Sequence, residues 1–480
     1  MAEYKTIIGL EVHIELATKS KIFCGCSTSF GVQPNTNTCP VCTGMPGALP
    51  VLNERVLEYA IAVGLATNCE IVKECKFDRK NYFYPDNPQN YQISQLYFPI
   101  CQNGKIEIES KGEKKVIRIH EIHMEEDAGK LVHDKSTGRT LVDFNRSGIP
   151  LLEIVSEPDL NSSEDVIEYL KTLQMIVQDL GVSDGKLEEG SMRADINLSV
   201  CKKDDDKLGV RTETKNMNSY KAISRAIESE QKRQINILEK GGKVTQETRR
   251  WDDEIGKSYA MRSKENAQDY RYFPDPDLSS ISIDDTFILE VEKKLPELRI
   301  NIFKKFQQKY DIPLAMIEII VNNKALTKIF EETVKLYNTP NKIANWLTTE
   351  AIKLAREYDR DLTEIWISPV NLAKLLMLID NKIINSKIAK EVFEKMYLED
   401  IDPEIYVNEN ELSMQIDDKE LELIVTKVLN ENAQAVNQLK NGENKVIGFL
   451  IGCCMKELKG KGDPEKVKKI IENAIGGNNR

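Results

Sequence analysis

The chain has 480 residues, more than one ordinary hydrophobic core accommodates, so about two to four domains are expected. Hydrophobic residues make up 41% of it and charged residues 30%, as in soluble globular proteins. Its 66 basic and 77 acidic residues give a net charge of −11, which argues against binding nucleic acid over the whole surface but permits a local basic patch. No apolar run approaches the ~20 residues that cross a bilayer, and the N-terminus has no signal-peptide pattern, so a cytoplasmic location is expected.

The first predicted element is a strand in the segment GLEVHIEL, residues 9–16. Apolar residues alternate there with Glu11, His13 and Glu15. Because successive side chains of a strand point to opposite faces, one face of this strand is apolar and the other carries two carboxylates and an imidazole. Such a polar face is either solvated or holds a ligand, and these eight residues by themselves favour solvation.

A cysteine-rich loop follows this strand. Four of the ten cysteines form the motifs CxC and CxxC, separated by a loop rich in Asn, Thr, Gly and Pro. Since each motif can present two thiolates, the spacing predicts one tetrahedral zinc site in a cytosolic protein. The ligands would be Cys24, Cys26, Cys39 and Cys42, and four unligated thiols are the alternative. The other cysteines lack such spacing and are expected to pack as small hydrophobic residues.

The pattern of the chain changes near residue 295. Before it, alternating segments such as MRADINLSV are mixed with helical patterns, one of which ends at Gly181 and another at a glycine pair. This mixture predicts an α+β domain with a largely antiparallel sheet over residues 1–295. Helical patterns follow over residues 296–405, and a linker leads into a small, mildly basic helical unit over residues 406–480.

Several predicted strands carry carboxylates on one face. Glu125 and Glu126 lie in IHEIHMEEDAGK, Glu153 lies inside an apolar run, and Asp195 and Glu213 lie in later alternating segments. A carboxylate inside an apolar run is costly unless it is paired or bound to a cation. If these faces line one sheet, they form an oxygen-rich site for Mg²⁺ beside cationic residues that hold phosphate. Solvated strand faces are the alternative. Since the sequence has no P-loop, bound ATP would depend on divalent ions.

Long motifs in a fixed order give the chain a resemblance to a known family. They are GLEVHIEL, KFDRKNYFYPDNPQNYQIS, HMEEDAGK, VDFNRSGIPLLEIVSEPD, LEEGSMRADINLSV, KNMNS, QETRRWDDEIGKSYAMRSKE and DYRYFPDPDL. Together they resemble the B subunit of the tRNA-dependent aspartyl/glutamyl amidotransferase, and the resemblance covers almost the whole chain.

The resemblance implies both a fold and an activity. The fold would be a glutamine synthetase-like cradle domain, an all-α domain and a small C-terminal helical domain. The subunit would work in a heterotrimer with an amidase (A) subunit and a small C subunit. It would use ATP to phosphorylate the side-chain carboxylate of Glu or Asp misacylated on tRNA. Ammonia, released from glutamine by the amidase subunit, would then displace phosphate and give Gln-tRNA or Asn-tRNA; which of the two substrates is used is left open.

The resemblance also implies roles for individual residues. The catalytic positions would be Glu11, His13, Glu125, Glu126 and Glu153. The magnesium ligands would be these five residues with Glu189, Asp195 and Glu213. Apart from the resemblance, the positive charges of Lys215, Arg249 and Arg250 suit them to hold phosphate, and a solvated surface is the alternative for these residues. The zinc would be structural, because four thiolates leave no open coordination position.

Basic and aromatic residues alternate in the segment FDRKNYFYPD. Arg79 and Lys80 stand there beside Tyr82, Phe83 and Tyr84. Basic residues beside stacking rings suit an unpaired tRNA 3′ end, whereas core aromatics on a strand are an equally good explanation.

Two other functions compete with an amidotransferase subunit. A free-standing glutamine synthetase-like ligase for a small acid would not need the helical C-terminal third. A non-enzymatic zinc-containing RNA-binding scaffold would not need the carboxylate faces, and a chain of net charge −11 is poorly suited to it. The sequence also lacks the Gly- and Ser-rich nucleophile segment of amidases, so the ammonia donor is expected on another polypeptide.

Overall fold

The structure is a computed structural model that describes residues 3–134, 136–205, 207–263, 270–361, 365–413, 418–440, 445–458 and 463–476. Positions 264, 265 and 269, which belong to two of the motifs quoted above, lie outside these residues. The chain divides into two compact units, Met1–Leu298 and Arg299–Arg480. The finer division into domains 1–295, 296–405 and 406–480 stays a prediction.

The first unit combines strands and helices. Its strands are β1 (Tyr4–Glu15), β2 (Glu70–Ile71), β3 (Glu74–Cys75), β4 (Asp78–Asn81), β5 (Tyr91–Ser94), β6 (Cys101–Ser110), β7 (Glu113–Glu126), β8 (Lys130–Asp134), β9 (Arg139–Asp143), β10 (Pro150–Ser156), β11 (Met192–Lys202), β12 (Thr212–Lys215), β13 (Glu247–Asp252), β14 (Lys257–Ser263), β15 (Phe273–Pro274) and β16 (Ile281–Ser282). Its helices are α1 (Glu54–Ala66), α2 (Ser163–Asp179), α3 (Tyr220–Glu239) and α4 (Asp285–Lys294).

One large sheet dominates this unit. Within the described residues, nine strands form it in the order β14-β13-β12-β11-β1-β10-β7-β6-β2. Neighbouring strands are antiparallel except β12 and β13, which are parallel. Strands β15, β4 and β5 form a smaller sheet, and β8 and β9 pair as a hairpin. The predicted α+β class with a largely antiparallel sheet is confirmed.

Apolar alternation decides which face of the large sheet is covered. On β1, the side chains of Leu10, Val12 and Ile14 are buried in a core that also contains residues of α1, α2 and α3. Burying each such aliphatic side chain contributes roughly 1.5–3 kcal/mol relative to leaving it in water. The helices therefore cover the apolar face, and Glu11 and His13 lie on the opposite face.

Serine side chains cap the N-termini of helices α2 and α3, and a glycine follows the C-terminus of α2. The Ser162 hydroxyl accepts a hydrogen bond from the Asp165 N–H at 3.2 Å, and Ser219 does the same for Ala222 at the start of α3. After α2, Gly181 has a φ of +68°, a left-handed conformation that a glycine adopts without strain. The predicted end of this helix at Gly181 is confirmed.

All the regular secondary structure in the described residues of the second unit is helical. Its helices are α5 (Arg299–Lys309), α6 (Leu314–Val321), α7 (Lys324–Leu336), α8 (Pro340–Asn345), α9 (Ile352–Glu357), α10 (Pro369–Asp380), α11 (Ser386–Glu399), α12 (Pro403–Glu409), α13 (Asp418–Glu431), α14 (Ala433–Lys440), α15 (Val446–Glu457) and α16 (Pro464–Gly476), with a π-helical turn, Trp346–Ala351, between α8 and α9. Helices α5 to α12 and helices α13 to α16 have separate hydrophobic cores. Among the described residues, every helix is too short or too polar to span a membrane.

Candidate active site

A histidine and two glutamates from three neighbouring strands converge on the polar face of the large sheet. His13 on β1 is the cross-strand partner of Glu153 on β10, and Glu125 comes from β7. The Nε2 atom of His13 lies 3.4 Å from Glu125 Oε1 and 3.8 Å from Glu153 Oε1. One ligand atom from each residue lies within 4.8 Å of the others, which suits a shared cation. These three residues are called the histidine group below.

Three carboxylates form a second group on the other side of β1. Glu11 is the cross-strand partner of Asp195 on β11, and Glu213 lies on the next strand, β12. Their oxygens also lie within 4.8 Å of one another. The Lys215 ammonium lies 2.7 Å from Asp195 Oδ2 and 2.8 Å from Glu213 Oε1. Glu11, Asp195 and Glu213 are called the carboxylate group.

The electrostatics of the two groups favour binding of cations. Burial raises the pKa of Glu125, and the nearby Glu153 carboxylate raises it further. Burial likewise raises the pKa of Glu11, with added repulsion from Glu153 and Glu213. Crowded carboxylates of this kind are relieved by positive charge. Burial acts to lower the pKa of Lys215, but Asp195 and Glu213 outweigh it and raise the pKa, so this ammonium stays charged.

Glu153 of the histidine group and Glu11 and Glu213 of the carboxylate group line a cavity of about 390 Å³. Lys80, on β4 of the smaller sheet, faces it together with Tyr270 and Tyr272. The Lys80 ammonium lies over the Tyr270 ring, 4.9 Å from its centroid. Burial acts to lower the pKa of Lys80, but the carboxylates of Glu125 and Glu153 outweigh it and raise the pKa. The cavity is therefore lined by two lysines, Lys80 and Lys215, and by several carboxylates.

The segment FDRKNYFYPD contributes to the cavity through one of its two basic residues. Since Arg79 and Lys80 are adjacent on β4, they point to opposite faces. Arg79 pairs with Asp275 and Asp277, each at 2.7 Å, whereas Lys80 faces the cavity. The Phe83 side chain is 84% exposed, so it is not a core aromatic. A contact with the tRNA 3′ end stays a prediction for this segment.

Two of the predicted magnesium ligands lie apart from both groups. Glu126 follows Glu125 on β7, so its side chain leaves the opposite face of the strand. There it accepts hydrogen bonds from the Ile93 N–H at 3.0 Å and the Gln89 amide at 2.5 Å, and burial raises its pKa to about 8. Glu189 lies in the turn before β11, where its 60% exposed side chain pairs with Lys186 at 2.7 Å. The described conformation does not place either carboxylate with the other ligands.

The three predicted phosphate-binding residues do not all lie on the same face of the sheet. Lys215 lines the cavity, and Arg250, its register partner on β13, is exposed beside it. Arg249 points away from this face and is 10% exposed. Its guanidinium donates to Ser258 Oγ at 2.8 Å and pairs with Glu247 and Glu230. Arg249 thus connects β13 to β14 and α3 within the fold.

The structure adds polar residues that the sequence interpretation left out of the site. His123 lies on β7 and is the cross-strand partner of Glu153 on β10. It is buried, its ring contacts the Gln95 carbonyl, and its Nε2 atom lies 3.0 Å from Glu121 Oε1. Burial acts to lower the pKa of His123, but Glu121, Glu153 and the Gln95 carbonyl raise it to about 9. Asn197 donates to Glu11 Oε1 at 2.9 Å. His123 could have been found from the sequence, because it lies two residues before Glu125 and so shares its face.

The four predicted zinc ligands come together in the loop after β1. Their sulfur atoms lie within 4.8 Å of one another, and Cys42 Sγ is 3.9 Å from Cys39 Sγ and 4.0 Å from Cys26 Sγ. Four sulfurs bound to zinc at ~2.3 Å lie ~3.8 Å apart in a tetrahedron. Hydrogen bonds from the Cys24 thiol and the Cys39 N–H lower the pKa of the Cys42 thiol to about 4. The donor set and its spacing therefore fit zinc.

A cavity that combines clustered carboxylates with two lysines is typical of enzymes that transfer phosphoryl groups with the help of divalent ions. Comparison with known proteins gives a closer assignment. A family model described as GatB/GatE catalytic domain matches residues 6–289, and one described as GatB domain matches residues 328–475. The chain therefore belongs to the GatB family, as its sequence motifs indicated.

Full-length relatives support this assignment. A protein of Agathobacter rectalis, named as the B subunit of aspartyl/glutamyl-tRNA(Asn/Gln) amidotransferase, is 58% identical over 471 residues, which is 98% of this chain and 99% of the relative. A protein of the same name from Lachnoclostridium phytofermentans is 55% identical, over 99% of this chain and 99% of the relative. Another, from Caldicellulosiruptor bescii, is 50% identical, over 98% of this chain and 99% of the relative.

Proposed function

We propose that this chain is the component of a cytoplasmic, tRNA-dependent amidotransferase that activates and amidates Glu or Asp misacylated on tRNA. The observation that carries the proposal is a cavity lined by members of both ligand groups and by two lysines, namely Glu11, Glu153, Glu213, Lys80 and Lys215. Family membership supports the same reaction, since the relatives are named as amidotransferase subunits.

The reaction explains why these residue types are needed. A side-chain carboxylate is a poor electrophile, so the γ-phosphoryl group of ATP is first transferred to one of its oxygens, with release of ADP. Ammonia then attacks the acyl carbon, the C–O bond to phosphate breaks, and amide and phosphate are formed. Lys80 and Lys215, which both line the cavity, would stabilise the negative charge on the phosphoryl oxygens. The walls formed by Tyr270 and Tyr272 would limit hydrolysis of the acyl phosphate by water.

The two ligand groups would hold the divalent ions. The carboxylate group offers only oxygen, the ligand that Mg²⁺ prefers, and the histidine group adds one imidazole nitrogen to two carboxylates. Bound Mg²⁺ would neutralise charge on the phosphoryl oxygens. Glu126 and Glu189 would contribute to these ions only in another conformation, and Arg249 would act on the fold rather than on phosphate. Zinc at the four cysteines would hold the loop together.

The proposal also implies partners. Ammonia would come from an amidase (A) subunit, assisted by a small C subunit, and the substrate would be misacylated tRNA. The alternative of a free-standing ligase for a small acid is disfavoured, because the GatB domain match over residues 328–475 extends the family assignment into the helical unit.

The decisive experiment presents the purified complex with ATP, Mg²⁺, glutamine and either Glu-tRNA(Gln) or Asp-tRNA(Asn). We expect Gln-tRNA or Asn-tRNA as the product, and the amino acid released from the tRNA afterwards identifies the physiological substrate. Free glutamate and free aspartate serve as controls. Amidation of a free amino acid at a comparable rate would contradict the proposal and favour a small-acid ligase.

A second experiment separates this chain from its partners. The chain without the amidase subunit is given misacylated tRNA, ATP and either glutamine or ammonium chloride, after its folding has been verified. Ammonium should support amidation and glutamine should not, because the sequence has no amidase-like nucleophile segment. Efficient glutamine-dependent amidation by the highly purified chain would contradict this division of labour.

A further inference from the structure

A fully buried lysine lies beside the four cysteines. Lys21 has 0% exposure and follows β1 in the chain. Burying an ammonium away from water is costly unless a negative group compensates it, so buried lysines are nearly always paired. Among the residues that the structure describes, Lys21 forms no ion pair with a carboxylate. Its negative partner must therefore be something else.

The contacts of Lys21 identify that partner. The Nζ atom donates hydrogen bonds to the carbonyl oxygens of Asn37 at 2.8 Å and Phe144 at 3.3 Å, and it lies 3.5 Å from Cys42 Sγ. Two carbonyl groups satisfy N–H donors but carry no net charge. Cys42 is the contact of these three that becomes anionic, when the cysteines bind a metal as thiolates.

The net negative charge of a zinc centre with four thiolates would be stabilised by a nearby cation such as the Lys21 ammonium. Four thiolates around Zn²⁺ have a net charge of −2, and Cys42 is itself buried. A positive charge at Lys21 reduces this to −1 and stands next to the most enclosed sulfur. We infer that Lys21 is the buried counter-ion of the zinc centre and sets the affinity with which the four cysteines hold zinc. The inference rests on the zinc site proposed above.

Lys21 would also connect the metal centre to the large sheet. Phe144, whose carbonyl it binds, lies between β9 and β10, and the Ser147 hydroxyl donates to the Cys42 carbonyl at 2.8 Å. Gly148, in the same turn, has a φ of +82°, and its carbonyl accepts the Ile22 N–H at 3.0 Å. The loop with the cysteines is thus bonded to the segment that leads directly into β10.

The test measures zinc affinity in the full complex by competition with a chromogenic chelator. Lys21→Met removes the charge with little change in length, and Lys19→Met, an exposed position, is the matched control. We expect the zinc dissociation constant to rise at least ~10-fold for Lys21→Met, because losing a residue that contacts a metal ligand typically weakens metal binding by about 10- to 100-fold. For Lys19→Met the dissociation constant should stay within ~2-fold of wild type. Lys21→Gln replaces Lys21→Met if the latter is not recovered folded.

A double-variant comparison distinguishes a counter-ion from a simple anchor of the two carbonyl groups. Cys24→His replaces one thiolate by a neutral ligand, and Cys24 is not among the contacts of Lys21 described above. Because the zinc centre then carries one negative charge fewer, adding Lys21→Met to the Cys24→His variant should weaken zinc binding by less than ~3-fold. An equal loss with and without Cys24→His, or unchanged affinity of Lys21→Met, overturns the inference. Absence of zinc from the wild-type complex would instead refute the zinc site itself.

Discussion

His13 Nε2 lies 3.4 Å from Glu125 Oε1 although their strands, β1 and β7, are separated by β10. Neighbouring strands are ~4.8 Å apart, and Glu125 lies two residues along β7 from His123, the residue across β10 from His13, so the backbones of His13 and Glu125 are separated by more than twice that distance. Only long side chains on the same face can close the gap, and Glu153 on β10 lies between them. The apolar core lies on the other face of the sheet and the His13 side chain is 21% exposed, so replacing His13 should have little effect on packing.

Replacing His13 therefore tests the phosphoryl-transfer site directly. His13→Ala should abolish ATP-dependent activation of the aminoacyl group, because it removes one of three groups that hold a divalent ion, while the amidase subunit continues to hydrolyse glutamine. Activation is followed by ADP formation that depends on misacylated tRNA, and glutamine hydrolysis by glutamate release. His120→Ala, an exposed position that is 2.9 Å from Glu157, is the control and should retain activity. Equal activity of the two variants would show that the polar face is ordinary surface.

Lys215 is expected to affect catalysis more than folding. Lys215→Met should lower kcat/KM for amidation by about 10²–10³-fold, the usual effect of losing one group that stabilises charge in a transition state. Mg²⁺ at the carboxylate group would limit repulsion between Asp195 and Glu213 in this variant. Steady-state kinetics with saturating glutamine provides the measurement. A change in kcat/KM of less than ~3-fold would exclude Lys215 from phosphate binding.

Arg249 should show the opposite behaviour. Arg249→Met leaves the buried Glu230 and the neighbouring Glu247 with fewer partners, so the free energy of unfolding should fall by about 2 to 3 kcal/mol. Urea denaturation of the complex measures this change, and kcat/KM of the folded fraction should stay close to wild type. Arg250→Met, at the exposed neighbouring position, is the control for stability. A stable but inactive Arg249→Met variant would contradict this structural role and indicate that Arg249 binds phosphate.

The alternation of polar and apolar residues was sufficient to predict which residues of each strand share a face. It predicted the polar face of β1 correctly, and the same rule excludes Glu126 once Glu125 is placed and Arg249 once its neighbour Arg250 is placed. Alternation does not reveal which strands are neighbours, so the division into two ligand groups required the strand order. Lys80 lines the cavity from β4, which belongs to a separate small sheet, and no local pattern in the sequence predicts that the two sheets meet at this cavity.

Removal of zinc should weaken the loop after β1. Elemental analysis should find about one zinc per chain, as four converging thiolates imply. Cys39→Ser should lower both the zinc content and the melting temperature, because the loop between Lys21 and Asn53 has little regular structure of its own. Cys69→Ser, at a cysteine outside the group, is the control and should retain zinc. Full zinc content in Cys39→Ser would remove Cys39 from the ligand set.

The last prediction concerns Asp165, a buried carboxylate at the start of α2. Its side chain has 0% exposure, accepts both hydrogen bonds of the Lys115 ammonium at 2.9 Å and accepts the Asn161 N–H at 3.2 Å. Burial acts to raise the pKa of Asp165, but these bonds outweigh it, so the pKa lies below its ordinary value of 3.8. The unfolded chain therefore binds the proton more tightly, and stability from this group is present above pH 3.8 and is lost as pH falls through the lower folded pKa.

Asp165→Asn should consequently destabilise the protein in a pH-dependent way. At neutral pH it should lower the free energy of unfolding by about 2 kcal/mol, because the charged bonds to Lys115 are lost. Urea denaturation from about pH 6 to pH 3 should show the difference from wild type beginning to shrink as the pH falls below 3.8, where Asp165 of the unfolded chain binds a proton. Glu164→Gln, which affects an exposed pair with Lys111, should change stability by less than ~0.5 kcal/mol at any of these pH values. A difference between Asp165→Asn and wild type that stays constant with pH would mean that the carboxylate stabilises the fold through its shape and not through its charge.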